Sequence, residues 1–103
     1  MRIISKKLLK DFWKNHNASE QPLKAWHYEV KNARWKNHNE LKQHFRNASV
    51  INTKRVVFNI KGNDYRLVAA IEYNLKIVFV VWIGTHSNYD KINVAKLKYV
   101  KTN

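Results

Sequence analysis

The sequence predicts an α+β fold, with N-terminal helices packed on a small antiparallel β-sheet meander. Three observations carry this. Up to about residue 48 apolar residues recur three and four apart, the helical period. From Val50 the period drops to two, the period of a strand with one covered face. The two regimes also follow one another without strand–helix alternation, which favours α+β over a parallel α/β sheet.

Arg2-Ile3-Ile4 reads as a short extended start. Ser5 is placed to cap a helix whose Leu8, Leu9, Phe12 and Trp13 share one face, with Lys6, Lys7, Lys10 and Lys14 on the other. That helix should fade at Asn15-His16-Asn17. Ser19-Glu20-Gln21-Pro22 starts a second helix, with proline tolerated in the first turn. Leu23, Trp26, Val30 and Ala33 mark its buried face. Asn37-His38-Asn39-Glu40 has the form of a capping box, opening a short third helix with Leu41 and Phe45 inward.

Arg55 to Lys61 reads as a strand, and Gly62-Asn63 as a two-residue hairpin turn. From Asp64 to Tyr73 the chain alternates. Tyr65, Leu67, Ala69, Ile71 and Tyr73 fall on one face, and Arg66, Val68, Ala70 and Glu72 on the other. Asn74-Leu75 makes the next tight connection. Lys76 to Ile83 is almost wholly apolar, as a strand covered on both faces would be. Gly84 ends the run, and Thr85-His86-Ser87-Asn88-Tyr89-Asp90 leaves the sheet. Residues 1–103 form one domain on this reading, with 93–103 either a short terminal helix or a loosely ordered tail.

Twenty Lys and Arg face seven Asp and Glu, a net charge of +13. Residues 1–53 carry +7 and residues 54–103 carry +6, so the folded body rather than a basic arm should meet a polyanion. RNA is the first expectation. The absence of cysteine excludes disulfides, Cys-ligated zinc, iron–sulfur clusters and a thiol nucleophile. No apolar stretch approaches the ~18 residues of a membrane span, so no membrane partner is expected. The first residues lack an apolar signal region, and a cytoplasmic protein is expected. His16, His27, His38, His44 and His86 show no HExxH or HxH spacing. With only Gly62 and Gly84 there is no phosphate-binding glycine loop, so neither metal nor cofactor is expected.

Polar clusters sit where strands end. Lys61 and Arg66 flank the hairpin, and the third strand exits at His86 toward the same end. Lys54 and Arg55 begin at the opposite end. Cutting RNA without metal requires a base for the 2′-hydroxyl proton, an acid for the departing 5′-oxygen, and cations for the phosphorane. Arg66, His86, Tyr89, Asp90 and Lys61 are the right residue types, and are the candidate catalytic set. Lys54, Arg55, Asn59 and Trp35 are the candidate RNA-binding residues; Trp35 stands out among the four tryptophans because Arg34 and Lys36 flank it. Plainer readings compete. A histidine after a strand is more often a surface or capping residue, and Arg66 could simply pair with Asp64 or Glu72.

The run Val56-Val57-Phe58-Asn59-Ile60-Lys61-Gly62-Asn63-x-Tyr65-Arg66-Leu67, followed by Ile83-Gly84-Thr85-His86-x-x-Tyr89-Asp90, resembles the HigB toxins of bacterial type II toxin–antitoxin modules. Arg2-Ile3-Ile4-Ser5, Phe12-Trp13, Gln21-Pro22-Leu23, Ala25-Trp26 and Ala33-x-Trp35 extend the resemblance over residues 1–92. It implies a RelE-like fold, a bacterial cytoplasmic location and an mRNA interferase acting on mRNA in the A site of the 70S ribosome. It also implies metal-free attack by the 2′-oxygen and a HigA-type helix-turn-helix antitoxin. On that resemblance Arg66 and Lys61 would meet phosphate charge, His86 would move a proton, Tyr89 would position or move one, and Asp90 would orient His86 or Tyr89. Lys54 and Arg55 would be secondary phosphate contacts. The alternative is a non-catalytic basic module that binds RNA or the ribosome. Both bind RNA in a salt-dependent way, but only the first leaves a 2′,3′-cyclic phosphate.

Overall fold

The computed structural model describes residues 1–97. The order is β1 (Arg2–Ile4), α1 (Lys6–Asn15), α2 (Glu20–Lys31), α3 (His38–His44), β2 (Ser49–Val50), β3 (Arg55–Ile60), β4 (Tyr65–Glu72), β5 (Ile77–Thr85) and α4 (His86–Tyr89). Short 3₁₀ turns lie at Asn17–Ser19 and Val94–Lys96. The five strands form one sheet in the order β1-β5-β4-β3-β2. The β3-β4-β5 meander is antiparallel as the alternation predicts. The sheet as a whole is mixed, because β1 joins β5 in parallel and β2 adds an antiparallel edge to β3. This α+β architecture agrees with the expected class.

Helices α1, α2 and α3 bury their apolar faces on one side of the sheet. Leu9, Leu23, Val30 and Leu41 are fully shielded there, and Trp26 meets Phe58 edge-on at 5.4 Å. Each such aliphatic side chain contributes about 1.5–3 kcal/mol by leaving water. From the sheet come Val56, Phe58, Ile60, Leu67, Ala69, Ile71, Val78 and Val80. The β4 residues are the row that the alternation assigned to the covered face.

Two caps differ from expectation. Ser5 makes no side-chain capping bond to α1; its backbone is left-handed at φ 76°, turning the chain from β1 into the helix. At α3 the cap forms in part as expected. Asn37 accepts the Glu40 N–H at 2.9 Å, while Glu40 reaches the N–H of Lys36 at 3.1 Å rather than that of Asn37. The first hairpin turn spans Lys61–Asp64 and not two residues, because Ile60 and Tyr65 are the last pair. Lys61 and Gly62 both take positive φ, 51° and 62°. Only glycine does so without steric cost, which fixes the need for Gly62.

The second face of the sheet carries a smaller cluster of Val57, Val68, Ala70 and Val81. Val94 and Leu97 pack on it. This face is thus covered along part of its length and left accessible at the hairpin end. Residues 98–103 of the expected tail lie outside the described residues. A β-bulge shapes this face. Val80 pairs with Ala69 and Trp82 with Val68, leaving Val81 as an extra residue. Before the bulge Val78 and Val80 face the helices; after it Trp82 and Gly84 face the other way, beside Val68 and Arg66.

Candidate active site at the hairpin rim

Register places three residues on one rung of the second face. Asn59 on β3 opposes Arg66 on β4, and Arg66 opposes Gly84 on β5. One residue beyond Gly84 the strand ends, and Thr85 caps the single turn of α4 by accepting the Asn88 N–H at 3.2 Å. That turn brings Tyr89 back over the sheet. The Arg66 guanidinium carbon lies 5.9 Å from the centre of the Tyr89 ring, within the range of a cation–π contact. Arg66 Nη1 also donates to the carbonyls of Asn63 at 3.0 Å and Tyr65 at 3.3 Å, which aims the side chain along the rim.

The hairpin loop and the exit of β5 are tied together. The backbone N–H of His86 donates to the Asp64 carbonyl at 3.1 Å, so His86 leaves the sheet against the loop that holds Lys61. Lys61 Nζ faces the Asp64 carboxylate at 3.5 Å, and both side chains are about half exposed. His86 Nδ1 lies 3.8 Å from Asp90 across the turn of α4. That is an electrostatic contact rather than a hydrogen bond. The five candidate catalytic residues therefore occupy one rim, linked through Arg66–Tyr89, His86–Asp90 and the Asp64 bridge. Among the described residues no three His, Asp or Glu side chains gather as a metal site.

The candidate RNA-binding residues divide. Asn59 belongs to the rim rung. Arg55 begins β3 and Lys54 precedes it, four and five residues from Asn59, or roughly 13–17 Å at about 3.3 Å per residue. Lys54 faces Glu72 at 2.7 Å. Arg55 is turned to structure: its guanidinium donates to the carbonyls of Val94, at 2.7 Å, and Leu97, holding residues 94–97 on the second face. Trp35 is not a surface ring. It is 6% exposed, donates from Nε1 to His44 Nδ1 at 3.3 Å, and meets His44 and Phe45 edge-on. Its basic neighbours reach solvent while the indole closes the core between α2 and α3.

Two contributors escape a sequence reading. Asp64 acts through its carbonyl, to which side-chain chemistry gives no clue. Trp82 reads as core within the apolar run, yet the bulge turns it to the rim face, 6.2 Å from Tyr89.

A family model described as HigB toxin, RelE-like toxic component of a toxin–antitoxin system, matches residues 19–92. No curated protein matches the chain significantly. The match begins at Ser19, so β1 and α1 lie outside it, although the resemblance at the sequence level extends to Arg2. Every residue of the rim falls inside the match, as do the whole meander and α4. The chain belongs to the HigB family of RelE-like toxins, the toxic components of toxin–antitoxin systems, and an antitoxin partner follows from that membership.

Proposed function

We propose that this toxin is a ribosome-dependent mRNA endoribonuclease of the bacterial cytoplasm, cutting by metal-independent 2′-oxygen attack and restrained by a HigA-type antitoxin. The observation that carries the reading is the Arg66–Tyr89 contact on the rung next to the strand exit that delivers His86. A phosphate held there meets a guanidinium fork from β4 and an imidazole from the start of α4, within a molecule of net charge +13.

The chemistry divides among these groups. The 2′-oxygen of the nucleotide before the cut attacks phosphorus, and the bond from phosphorus to the 5′-oxygen breaks. The products are a 2′,3′-cyclic phosphate and a 5′-hydroxyl. The 2′-proton must be taken up and the departing oxygen protonated. His86 supplies an imidazole for this proton transfer, and Tyr89 holds the nucleotide in line or shares the proton work. Arg66 offsets the charge that builds on the phosphorane. Lys61 adds a second cation; its pair with Asp64 is exposed and therefore weak, so phosphate can compete for it. Asp90, 3.8 Å from His86 Nδ1, orients the imidazole.

The test is cleavage of mRNA on translating ribosomes by the purified toxin. Cyclic-phosphate ends, formed equally with and without chelator, are expected. His86→Ala should slow cleavage while ribosome binding persists. Full activity of that variant would make His86 structural. Ribosome binding with no cleavage by the unaltered protein would favour the non-catalytic module.

A further inference from the structure

We infer that Trp82 is a nucleobase-stacking platform of the rim; this rests on the RNA-cleaving reading and names the part of the substrate that the ring takes. Trp82 belongs to the Val57–Val68 rung, one rung below Arg66 on the same face. Its ring does not stay there. A β-carbon built on Gly84 would lie 2.4 Å from Cη2 and 2.5 Å from Cζ2 of the indole. The six-membered ring therefore leans along β5 and fills the space above Gly84, in the rung that holds Arg66 and Asn59. Gly84 is needed because any side chain at this position would displace the ring.

The placement matters for three reasons. The indole is only partly buried, resting on the Val57, Val68, Ala70 and Val81 cluster. It adjoins Tyr89, whose ring in turn lies against Arg66. It reaches this face only through the bulge at Val81, a device that costs ladder hydrogen bonding and re-aims the residues beyond it. With Arg66 and His86 assigned to one phosphodiester, the base on its 2′ side is left to another surface. An in-line attack requires the nucleotide on the 2′ side to be splayed from its neighbour, and an unstacked base needs another π surface. The Trp82 indole reaches over Gly84 into the Arg66 rung, and its flat ring suits any base without reading its edge.

The experiment uses the full-length toxin and ribosomes programmed with an mRNA whose A-site codon is 2′-O-methylated, so that it binds without being cut. Affinity is measured for this codon and for the same codon with abasic positions. Trp82→Leu should weaken binding about tenfold or more and become indifferent to base removal, whereas Trp82→Phe should stay near the unaltered protein. Gly84→Ala should behave as Trp82→Leu does, because the added methyl evicts the ring. Circular dichroism separates misfolding from lost stacking. Unchanged affinity for Trp82→Leu, with the penalty for base removal intact, overturns the inference while leaving the function standing. Unaltered toxin that does not engage the programmed ribosome overturns both.

Discussion

Leu67 and Arg66 are adjacent in sequence and opposite in role, so truncating each in turn separates scaffold from site. Leu67 is fully buried, in the rung formed by Phe58, Leu67 and Ile83 on the helix side. Leu67→Ala removes three carbons, worth about 2.4 kcal/mol at ~0.8 each. The remaining void raises the cost into the ~2–5 kcal/mol range. For a chain near 100 residues each kcal/mol moves the melting midpoint by about 4–8 °C, so a fall on the order of 8–40 °C is expected. Arg66→Ala loses the bonds to the Asn63 and Tyr65 carbonyls and the contact with the Tyr89 ring, all at the partly exposed rim, together about 1–2 kcal/mol. Its cleavage rate should instead fall about 10²–10³-fold, the usual loss when a charge-stabilising donor is removed. Urea unfolding followed by circular dichroism gives the first quantity, and single-turnover cleavage on ribosomes the second. A Leu67→Ala variant within about 0.5 kcal/mol of the parent would refute the face assignment. An Arg66→Ala variant with full activity would remove Arg66 from the site.

Further outcomes follow from contacts away from the rim. Burial pushes the Tyr73 hydroxyl up from 10.0 to about 12, so folding favours its neutral form. The associated stability is complete below pH 10 and is lost as pH rises toward 12; Tyr73→Phe should flatten that alkaline decline in urea titrations, and an unchanged slope would contradict the shift. His27 is held below its usual 6.5 by burial and by Lys6 and Lys31. Its neutral form is the folded one, so stability should fall as pH drops below about 6.5, and His27→Gln should lessen that fall. Arg55→Ala should speed amide exchange across residues 92–97, since the Val94 and Leu97 carbonyls lose their donor; unaltered exchange would mean that apolar packing alone holds the segment.

The elements legible in the sequence are those long enough to show a period. Ten residues of α1 and twelve of α2 display their apolar stripes, and eight of β4 alternate cleanly. Strands β1 and β2, at three and two residues, are too short to show any period, which is why the mixed character of the sheet was hidden. Arg55 and Trp35 illustrate a different limit. Positive charge at Arg55 suggests phosphate, but a guanidinium bonds equally well to backbone carbonyls, and these come from residues some forty positions away. Arg34 and Lys36 beside Trp35 suggest a surface. They point outward precisely where the intervening ring points in, as the turn between α2 and α3 allows.

The bulge at Val81 is the least legible feature and the one on which the site depends most. Strict alternation along β5 would put positions 78, 80, 82 and 84 on a single face. Val78 and Val80 belong to the helix-side core, so Trp82 and Gly84 would follow them there, away from Arg66. The extra residue reverses that parity partway along the strand. Because Ile77 to Ile83 is uniformly apolar, no polar residue records the phase, and either parity is consistent with the sequence. Hydrophobicity thus determines that β5 is buried between β1 and β4, while its pairing with β4 determines which residues it presents at the rim. The strand can pack a core at one end and expose an aromatic surface beside Arg66 at the other only because its two ends are out of phase.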